Sequence, residues 1–136
     1  MASAVSGPKL KSGLVIQGCE MFLVVGTPGG SRIITGVLHS ILNIIDYGMT
    51  VQEAVDMPRF HQQWMPPNTN LEDYALSPDT RKLLESMGHQ FGGPPPRSHL
   101  AAILVGAPSL GGKPVGKMRF FGANDPRRNT GLALGY

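Results

Sequence analysis

Cysteine and charge are both scarce in this chain of 136 residues. A single cysteine, Cys19, excludes an internal disulfide, a thiolate zinc cluster and a CxxC redox pair. Charged residues make up 15% and hydrophobic residues 41%, which is charge-poor for a free-standing soluble domain. Two interpretations stay open: an α/β domain with a large core, or a fragment whose apolar faces other polypeptide covers. We favour the second, because no charged residue lies between Arg32 and Asp46.

Long apolar runs are also missing. No run reaches the roughly 20 residues of a membrane span, and residues 1–13 lack the apolar core of a signal peptide. We interpret residues 1–13 as a disordered leader or residues added for expression, and residues 14–136 as a single domain. The net charge is +3 and the basic residues are scattered, so we expect no nucleic-acid partner. No compartment follows from these residues.

Apolar patterning predicts the first half of the fold. Residues 14–16 and 22–25 are β-type runs that indicate a hairpin. The uninterrupted second run predicts a central strand buried on both faces. Helical spacing of apolar residues predicts a helix over 33–45, with Ser31 as its N-cap and Gly48 as its left-handed end.

Cap and turn residues predict the second half. Thr50 and Glu53 are spaced as a capping box for a helix over 51–57. Ser77 and Pro78 are typical of the start of a helix that runs to residue 87. The element order predicts an α/β (α+β) fold with helices packed on an antiparallel-rich sheet. Extended segments are expected at 59–65, 71–76, 100–105 and 115–121, and a loop at 122–127.

The strongest functional candidate is the sequence Gly-Thr-Pro-Gly-Gly-Ser at residues 26–31. Glycines let the backbone approach a ligand closely, and a helix start presents unpaired N–H groups. Such a loop can hold a phosphate, a carboxylate or the oxyanion of an acyl-transfer intermediate. It matches neither the Walker loop nor the GxGxxG pattern. By itself the loop supports a binding role and a simple turn equally.

The same segment takes part in a family resemblance. Residues 26–34 (GTPGGSRII), 54–64 (AVDMPRFHQQW) and 122–127 (GANDPR) resemble the γ-glutamyltransferase small subunit. The resemblance covers residues 14–136. It implies part of an N-terminal-nucleophile hydrolase, a four-layer αββα sandwich that is incomplete here at its N-terminal side. It also implies transfer of the γ-glutamyl group of glutathione and related compounds to an amino acid, a peptide or water.

Site residues and partners also follow from the resemblance. The paired glycines of that family, here Gly29 and Gly30, bind substrate and supply N–H groups to the oxyanion. The family's threonine nucleophile has no counterpart, since no threonine precedes Thr27, and its carboxylate-gripping arginine belongs to the large subunit. We therefore expect the isolated chain to be inactive and to need the large subunit and the rest of the small subunit, or to self-associate. No cofactor or metal is implied, and the family is typically periplasmic or extracellular.

Weaker candidates and other functions stay open. His61 is favoured as a structural residue over a general base, and His39 is expected to face solvent. Asp125 and Arg127 are expected to form a local ion pair or turn, and Ser31 to cap a helix rather than act as a nucleophile. The alternative functions are a non-enzymatic anion-binding or assembly module, and an inactive truncated product.

Overall fold

The computed structural model describes residues 9–11, 14–17, 20–96, 98–105, 120–128 and 131–134. One five-stranded antiparallel sheet dominates this part of the chain, with helices against it and a small two-stranded sheet beside it. The elements are β1 (Lys9–Lys11), β2 (Leu14–Gln17), β3 (Glu20–Gly26), α1 (Arg32–Ile45), α2 (Val51–Asp56), β4 (Phe60–His61), β5 (Asn70–Leu71), α3 (Pro78–Ser86), β6 (Ala101–Val105) and β7 (Phe120–Asn124). The main sheet has the order β1-β2-β3-β6-β7, and β4 pairs with β5.

β3 lies at the centre of the main sheet, as its apolar run predicts. Leu23 and Val25 are buried beneath the helices, whereas Val24 between them is 40% exposed. The prediction of burial on both faces is therefore wrong in the described part, because α1 and α2 cover only one face. Ile103 and Phe120 continue the open face on β6 and β7, and both are exposed.

α1 confirms the predicted long helix. Ile41 and Ile44 are buried against the sheet and α2, and Gly48 has the expected left-handed conformation, with φ of 64°. The helix also carries apolar residues on its outer side, where no described element covers them. These exposed residues are Ile34, Leu38, Leu42 and Ile45.

The two shorter helices begin at the predicted caps. The Thr50 N–H donates to Glu53 Oε2 at 2.8 Å, and the Glu53 N–H donates to Thr50 Oγ1 at 3.3 Å. These two bonds form the capping box of α2. At the start of α3, the Thr80 N–H donates to Ser77 Oγ at 3.2 Å, with Pro78 in the first turn. Local side-chain bonds thus set both helix starts.

Four predicted segments differ from the structure. In the predicted strand 71–76, the Ala75 N–H donates to the Glu72 carbonyl at 3.2 Å, which closes a turn directly after β5. β7 extends to Asn124, over part of the predicted loop, because it pairs with β6 along its whole length; residues 115–119 lie outside the described residues.

The third difference concerns residues 1–13, predicted as a disordered leader or residues added for expression. Lys9–Lys11 form a strand that pairs with β2, and the assignment of 1–13 to a leader or to added residues stays a prediction. The single domain over 14–136 stays a prediction. The segment 59–65 is a strand only over Phe60–His61, and it bends from Trp64 onward.

Candidate functional site

The glycine loop at 26–31 connects the end of β3 to the start of α1. Gly29 has φ of 149° and Gly30 has φ of 61°, both in the region that favours glycine. The Arg32 N–H donates to the Gly29 carbonyl at 3.2 Å, and the Ile33 N–H donates to the Gly30 carbonyl at 3.1 Å. Among the described residues, neither glycine N–H has a backbone acceptor. Two amides at the start of a 14-residue helix can therefore donate to an anion.

Ser31 stands at the N-cap position of α1 but does not cap it, which corrects the sequence prediction. Its backbone is helical, with φ of −60° and ψ of −24°, and its side chain makes no capping hydrogen bond. A capping residue has an extended backbone that turns its side chain toward the first amides. The turn at Gly29 and Gly30 starts this helix instead.

A cavity of about 190 Å³ opens beside the glycine loop, and we call it the loop cavity. Ser31 and Arg32 at the start of α1 line it, together with Gln63, Asn68 and Asn70. Arg32 Nε is buried and has no hydrogen-bond partner among the residues that the structure describes. No carboxylate of the described residues forms an ion pair with Arg32. The cavity thus carries a cation with unused donors.

Asn70 holds one wall of the loop cavity in place. Its Nδ2 donates to the carbonyl of Gly92 at 3.1 Å and to that of Pro94 at 2.9 Å. Gly93 between them has φ of 87°, and a Cβ at this position would lie 2.5 Å from Asn70 Nδ2. Both the backbone angle and the close contact therefore require glycine at 93.

His61 holds another wall, in the structural role that the sequence favours. Its Nδ1 lies 2.8 Å from Thr35 Oγ1 on α1, and its Nε2 lies 3.1 Å from Gln63 Oε1. The Gln63 Nε2 in turn donates to the Met65 carbonyl at 2.7 Å. This chain of hydrogen bonds fixes Gln63 against the first turn of α1. Both ring nitrogens of His61 are engaged, which is unlike a base that awaits a substrate proton.

His39 does not face solvent as predicted. Its ring packs against Phe60, with the two ring centroids 4.4 Å apart. Burial lowers the pKa of His39 below its ordinary value, and the charge of Arg59 lowers it further. The contact favours a neutral imidazole that packs as an apolar ring.

A buried ion pair between Arg59 and Asp125 lies close to α1. Arg59 Nη2 lies 2.6 Å from Asp125 Oδ2, with the side chains 2% and 1% exposed. Arg59 Nη1 also donates to the carbonyl of Ser98 at 2.8 Å and to its Oγ at 3.0 Å. A Cβ at Gly36 of α1 would lie 3.1 Å from the same Ser98 Oγ. The ion pair therefore positions Ser98 directly against the helix that presents the glycine loop.

Arg127 extends this network. Its Nη1 donates to Asp125 Oδ1 at 3.0 Å, which confirms the predicted local ion pair, and its Nε donates to Glu72 Oε1 at 2.9 Å. Burial alone raises the pKa of Asp125, but hydrogen bonds from Leu100, Arg59 and Arg127 outweigh it and hold the pKa below its ordinary value. Residues far apart in sequence are thus joined through one ionised carboxylate.

A second cavity, of about 830 Å³, is lined by Glu72, His99 and Arg127 among others. Its Glu72 and Arg127 side chains pair with each other, whereas Arg32 has no such partner in the described residues. No group of three or more His, Cys, Asp or Glu side chains within the described ranges is placed to hold a metal ion. No helix in the same ranges is long and apolar enough to cross a membrane.

Sequence reasoning proposed Gly29 and Gly30 as site residues, and this assignment stays a prediction. The structure places both glycines in the turn before α1. Sequence reasoning did not single out Arg32, Gln63 or Asn70 as site residues. The available signal was Arg32 itself, since a cation in the first turn of a helix opposes the helix dipole.

Comparisons with solved structures define the class of this fold. An acivicin-inhibited γ-glutamyltranspeptidase matches with a TM-score of 0.75 and 40% identity over 90% of this chain and 62% of that chain. The T380A mutant of Helicobacter pylori γ-glutamyltranspeptidase matches with a TM-score of 0.73 and 41% identity over 93% of this chain and 62% of that one. The fold is that of the N-terminal-nucleophile hydrolases, as the resemblance implied.

Sequence comparisons then identify the family. The family model for γ-glutamyltranspeptidase matches residues 10–135. The glutathione hydrolase proenzyme of Pseudomonas sp. strain A14 is 71% identical over 123 residues, which are 90% of this chain and 21% of that protein. The Escherichia coli K12 glutathione hydrolase proenzyme is 42% identical over 123 residues, 90% of this chain and 20% of that protein. The chain belongs to the γ-glutamyltranspeptidase family and spans about a fifth of the length of these relatives.

Proposed function

We propose that this chain forms the C-terminal part of the small subunit of a γ-glutamyltransferase and that Gly29 and Gly30 form its oxyanion hole. The whole enzyme transfers or hydrolyses the γ-glutamyl group of glutathione and related compounds through an acyl-enzyme. Its nucleophile, an N-terminal threonine, and its large subunit are not among these 136 residues. Family membership and the geometry of the glycine loop support this assignment.

In the proposed reaction, the threonine hydroxyl attacks the γ-glutamyl carbonyl carbon, and negative charge develops on the carbonyl oxygen. The amides of Gly29 and Gly30 donate to this oxygen, which stabilises the transition state more than the bound substrate. The threonine's own α-amine takes the hydroxyl proton and passes it to the leaving nitrogen as the carbon–nitrogen bond breaks. An acceptor amine or water then attacks the acyl-enzyme through a second oxyanion at the same place, its proton passes to the threonine oxygen, and the ester bond to threonine breaks.

The observation that carries the proposal is a pair of consecutive glycines with positive φ whose amides have no backbone acceptor among the described residues. If these glycines served only to form the turn, their N–H groups could equally well be hydrogen-bonded within the protein. The N-terminus of α1 adds its positive dipole end to these two donors. Free N–H donors at the start of a helix are the groups that stabilise an oxyanion.

The test is Gly30→Ala in a full-length enzyme that carries this segment, with a γ-glutamyl anilide as substrate. A Cβ at Gly30 meets no atom within 4 Å, but the φ of 61° is strained for alanine. Relaxation of φ rotates the peptide whose N–H belongs to residue 30 away from the oxyanion. Loss of one such donor typically lowers kcat by roughly 10²–10³, with a smaller change in KM.

Gly48→Ala is a matched control at the opposite end of the same helix. Gly48 has φ of 64°, and a Cβ there also meets nothing within 4 Å. Both substitutions should therefore lower stability by a similar amount, about 1–2 kcal/mol, but only Gly30→Ala should lower kcat. Equal kcat for the two variants would assign the glycine loop to turn geometry alone. The 136-residue chain by itself is the negative control and should not hydrolyse the anilide.

A further inference from the structure

Gly36 is the first residue of α1 that is buried. Residues 32–35 of the helix are exposed or half-buried, whereas Ser40, Ile41 and Ile44 further along are buried like Gly36. Glycine favours a helix interior less than alanine does. A glycine at a buried position inside a helix therefore suggests that another part of the protein approaches the helix backbone closely.

Two side chains occupy the space that a side chain at position 36 would need. A Cβ on Gly36 would lie 3.1 Å from Ser98 Oγ and 3.7 Å from Thr27 Cγ2. The first contact is tighter than most contacts of a real Cβ, and the second is ordinary. Thr27 belongs to the glycine loop, and Ser98 belongs to the segment that leads into β6. The glycine loop and this segment therefore meet at the bare backbone of α1.

Ser98 is held firmly on its side of this contact. It is 1% exposed, and Arg59 Nη1 donates to its carbonyl oxygen at 2.8 Å and to its Oγ at 3.0 Å. Arg59 is held in turn by Asp125 Oδ2 at 2.6 Å and by the Val55 carbonyl at 2.7 Å. If Ser98 Oγ turned away from α1, it would lose a bond to a buried guanidinium, which has no water there to replace it.

The start of α1 is held less firmly. Ser31 makes no capping hydrogen bond, and the nearest side-chain anchor joins Thr35 Oγ1 to His61 Nδ1 at 2.8 Å. A shift of a few tenths of an ångström leaves such a hydrogen bond intact. Gly30 precedes Gly36 by six residues, about 9 Å at the rise of a helix. A displacement of the helix at Gly36 is therefore carried to the amides of the glycine loop.

We propose that Ser98 is a positioning residue for the proposed acyl transfer. Its contact with the backbone at Gly36 sets the distance between α1 and the buried Arg59, and this distance places the amides of Gly29 and Gly30 relative to the oxyanion. Ser98 acts through the helix and not on the substrate. The inference rests on the proposed function, because it concerns the rate of the same reaction.

The experiment measures kcat and KM for a γ-glutamyl anilide in a full-length enzyme that carries this segment. In Gly36→Ala, the added Cβ should push α1 away from Ser98 by a few tenths of an ångström. A misplacement of 1 Å can cost about 10²-fold in rate, so kcat should fall by roughly three- to tenfold. KM should change little, because the amides act mainly on charge that develops in the transition state.

Ser98→Ala should rescue this loss, although it removes an atom and adds none. Without Oγ, the nearest atom of residue 98 to a Cβ on Gly36 is its own Cβ, at 3.8 Å. The variant Gly36→Ala/Ser98→Ala should therefore have a higher kcat than Gly36→Ala alone. A role in stability alone predicts the opposite, since Ser98→Ala also removes a buried hydrogen bond and the two losses would add. All variants are assayed well below their measured melting temperatures, so that unfolded enzyme does not lower kcat.

Ser40→Ala is the matched control. Ser40 is also a buried serine, and its Oγ donates to the Gly36 carbonyl at 3.2 Å, but its side chain is not among the atoms nearest to a Cβ on Gly36. Combined with Gly36→Ala, it should not restore kcat. Ser98→Cys enlarges the contact from the other side with a bulkier sulfur, and its kcat should lie below that of Ser98→Ala. This variant keeps the test decisive if Gly36→Ala does not fold.

The outcomes separate this inference from the proposed function. If the unmodified enzyme does not turn over the anilide, or if Gly30→Ala leaves kcat unchanged, the proposed function fails and this inference fails with it. If Gly30→Ala lowers kcat but the double variant is no faster than Gly36→Ala, the inference alone is overturned. An unchanged kcat in Gly36→Ala, or equal kcat in Ser98→Cys and Ser98→Ala, overturns it as well.

Discussion

Arg59→Met replaces a buried guanidinium with an apolar side chain of comparable length, and it tests whether the ion network stabilises the fold. Arg59 donates to Ser98 twice, to the Val55 carbonyl at 2.7 Å and to Asp125 Oδ2 at 2.6 Å. Its removal leaves Asp125 buried with an unbalanced charge. Losing one partner of a buried pair costs about 3–5 kcal/mol.

The expected cost lies near the lower end of that range, for two structural reasons. Asp125 keeps hydrogen bonds from the Leu100 N–H at 2.9 Å and from Arg127 Nη1 at 3.0 Å. The Val55 carbonyl also keeps a donor, Arg127 Nη1 at 3.1 Å. We therefore expect Arg59→Met to lower the free energy of unfolding by about 3 kcal/mol.

The assay is urea unfolding followed by far-ultraviolet circular dichroism at one fixed protein concentration. Arg59→Met and Asp125→Asn are measured singly and together, because contacting residues show coupling of roughly 0.5–3 kcal/mol. The double variant should lose less than the two single losses combined. Arg81→Met is the control, since the Arg81–Glu85 pair is 51% and 46% exposed and exposed pairs contribute about 0–1 kcal/mol. A loss below about 1 kcal/mol for Arg59→Met, or strict additivity in the cycle, would refute the network as a support of the fold.

Two further predictions concern acid and association. The pKa of Asp125 lies below its ordinary 3.8 and that of His39 below its ordinary 6.5, so the unfolded chain binds more protons in both cases and stability falls as the pH drops. The urea midpoint should decline from His39 below about pH 6.5 and from Asp125 below about pH 4, and Asp125→Asn should flatten the lower limb; a midpoint constant from pH 7 to 3 would contradict this. The 136-residue chain should also self-associate or be poorly soluble, because Val24, Ile103 and Phe120 are exposed on one sheet face. Light scattering that reports a stable monomer across a dilution series would contradict that prediction.

Local elements were predictable where neighbouring residues decide the conformation. The capping box at Thr50 and Glu53, the cap at Ser77 and the left-handed Gly48 all depend on residues within four positions along the chain. The cap at Ser31 failed because Gly29 and Gly30 already turn the chain into the helix. A residue that can cap does so only if its own backbone is extended.

Burial was predicted less well, because it depends on what lies above each face of the sheet. The apolar run at 22–25 has the composition of a strand buried on both sides, yet Val24 is half-exposed in the described part. His39 was expected in solvent and instead packs on Phe60. Phe60 belongs to β4, which follows α2 in the chain. The periodicity of apolar residues along the chain does not predict such a contact between separate elements.

The sequence by itself determined the family, the central strand, the main helices and the glycine loop between β3 and α1. These features depend on short motifs that are recognisable from the spacing of residues along the chain. Only the tertiary structure decided that Arg32 has no carboxylate partner among the described residues, that Asn70 and Gln63 share a cavity with it, and that Asp125 accepts from Arg59 and Leu100. Each of these facts joins segments that are tens of residues apart. Hydrogen bonds and charges act over a few ångströms, so their partners become known only when the chain is folded.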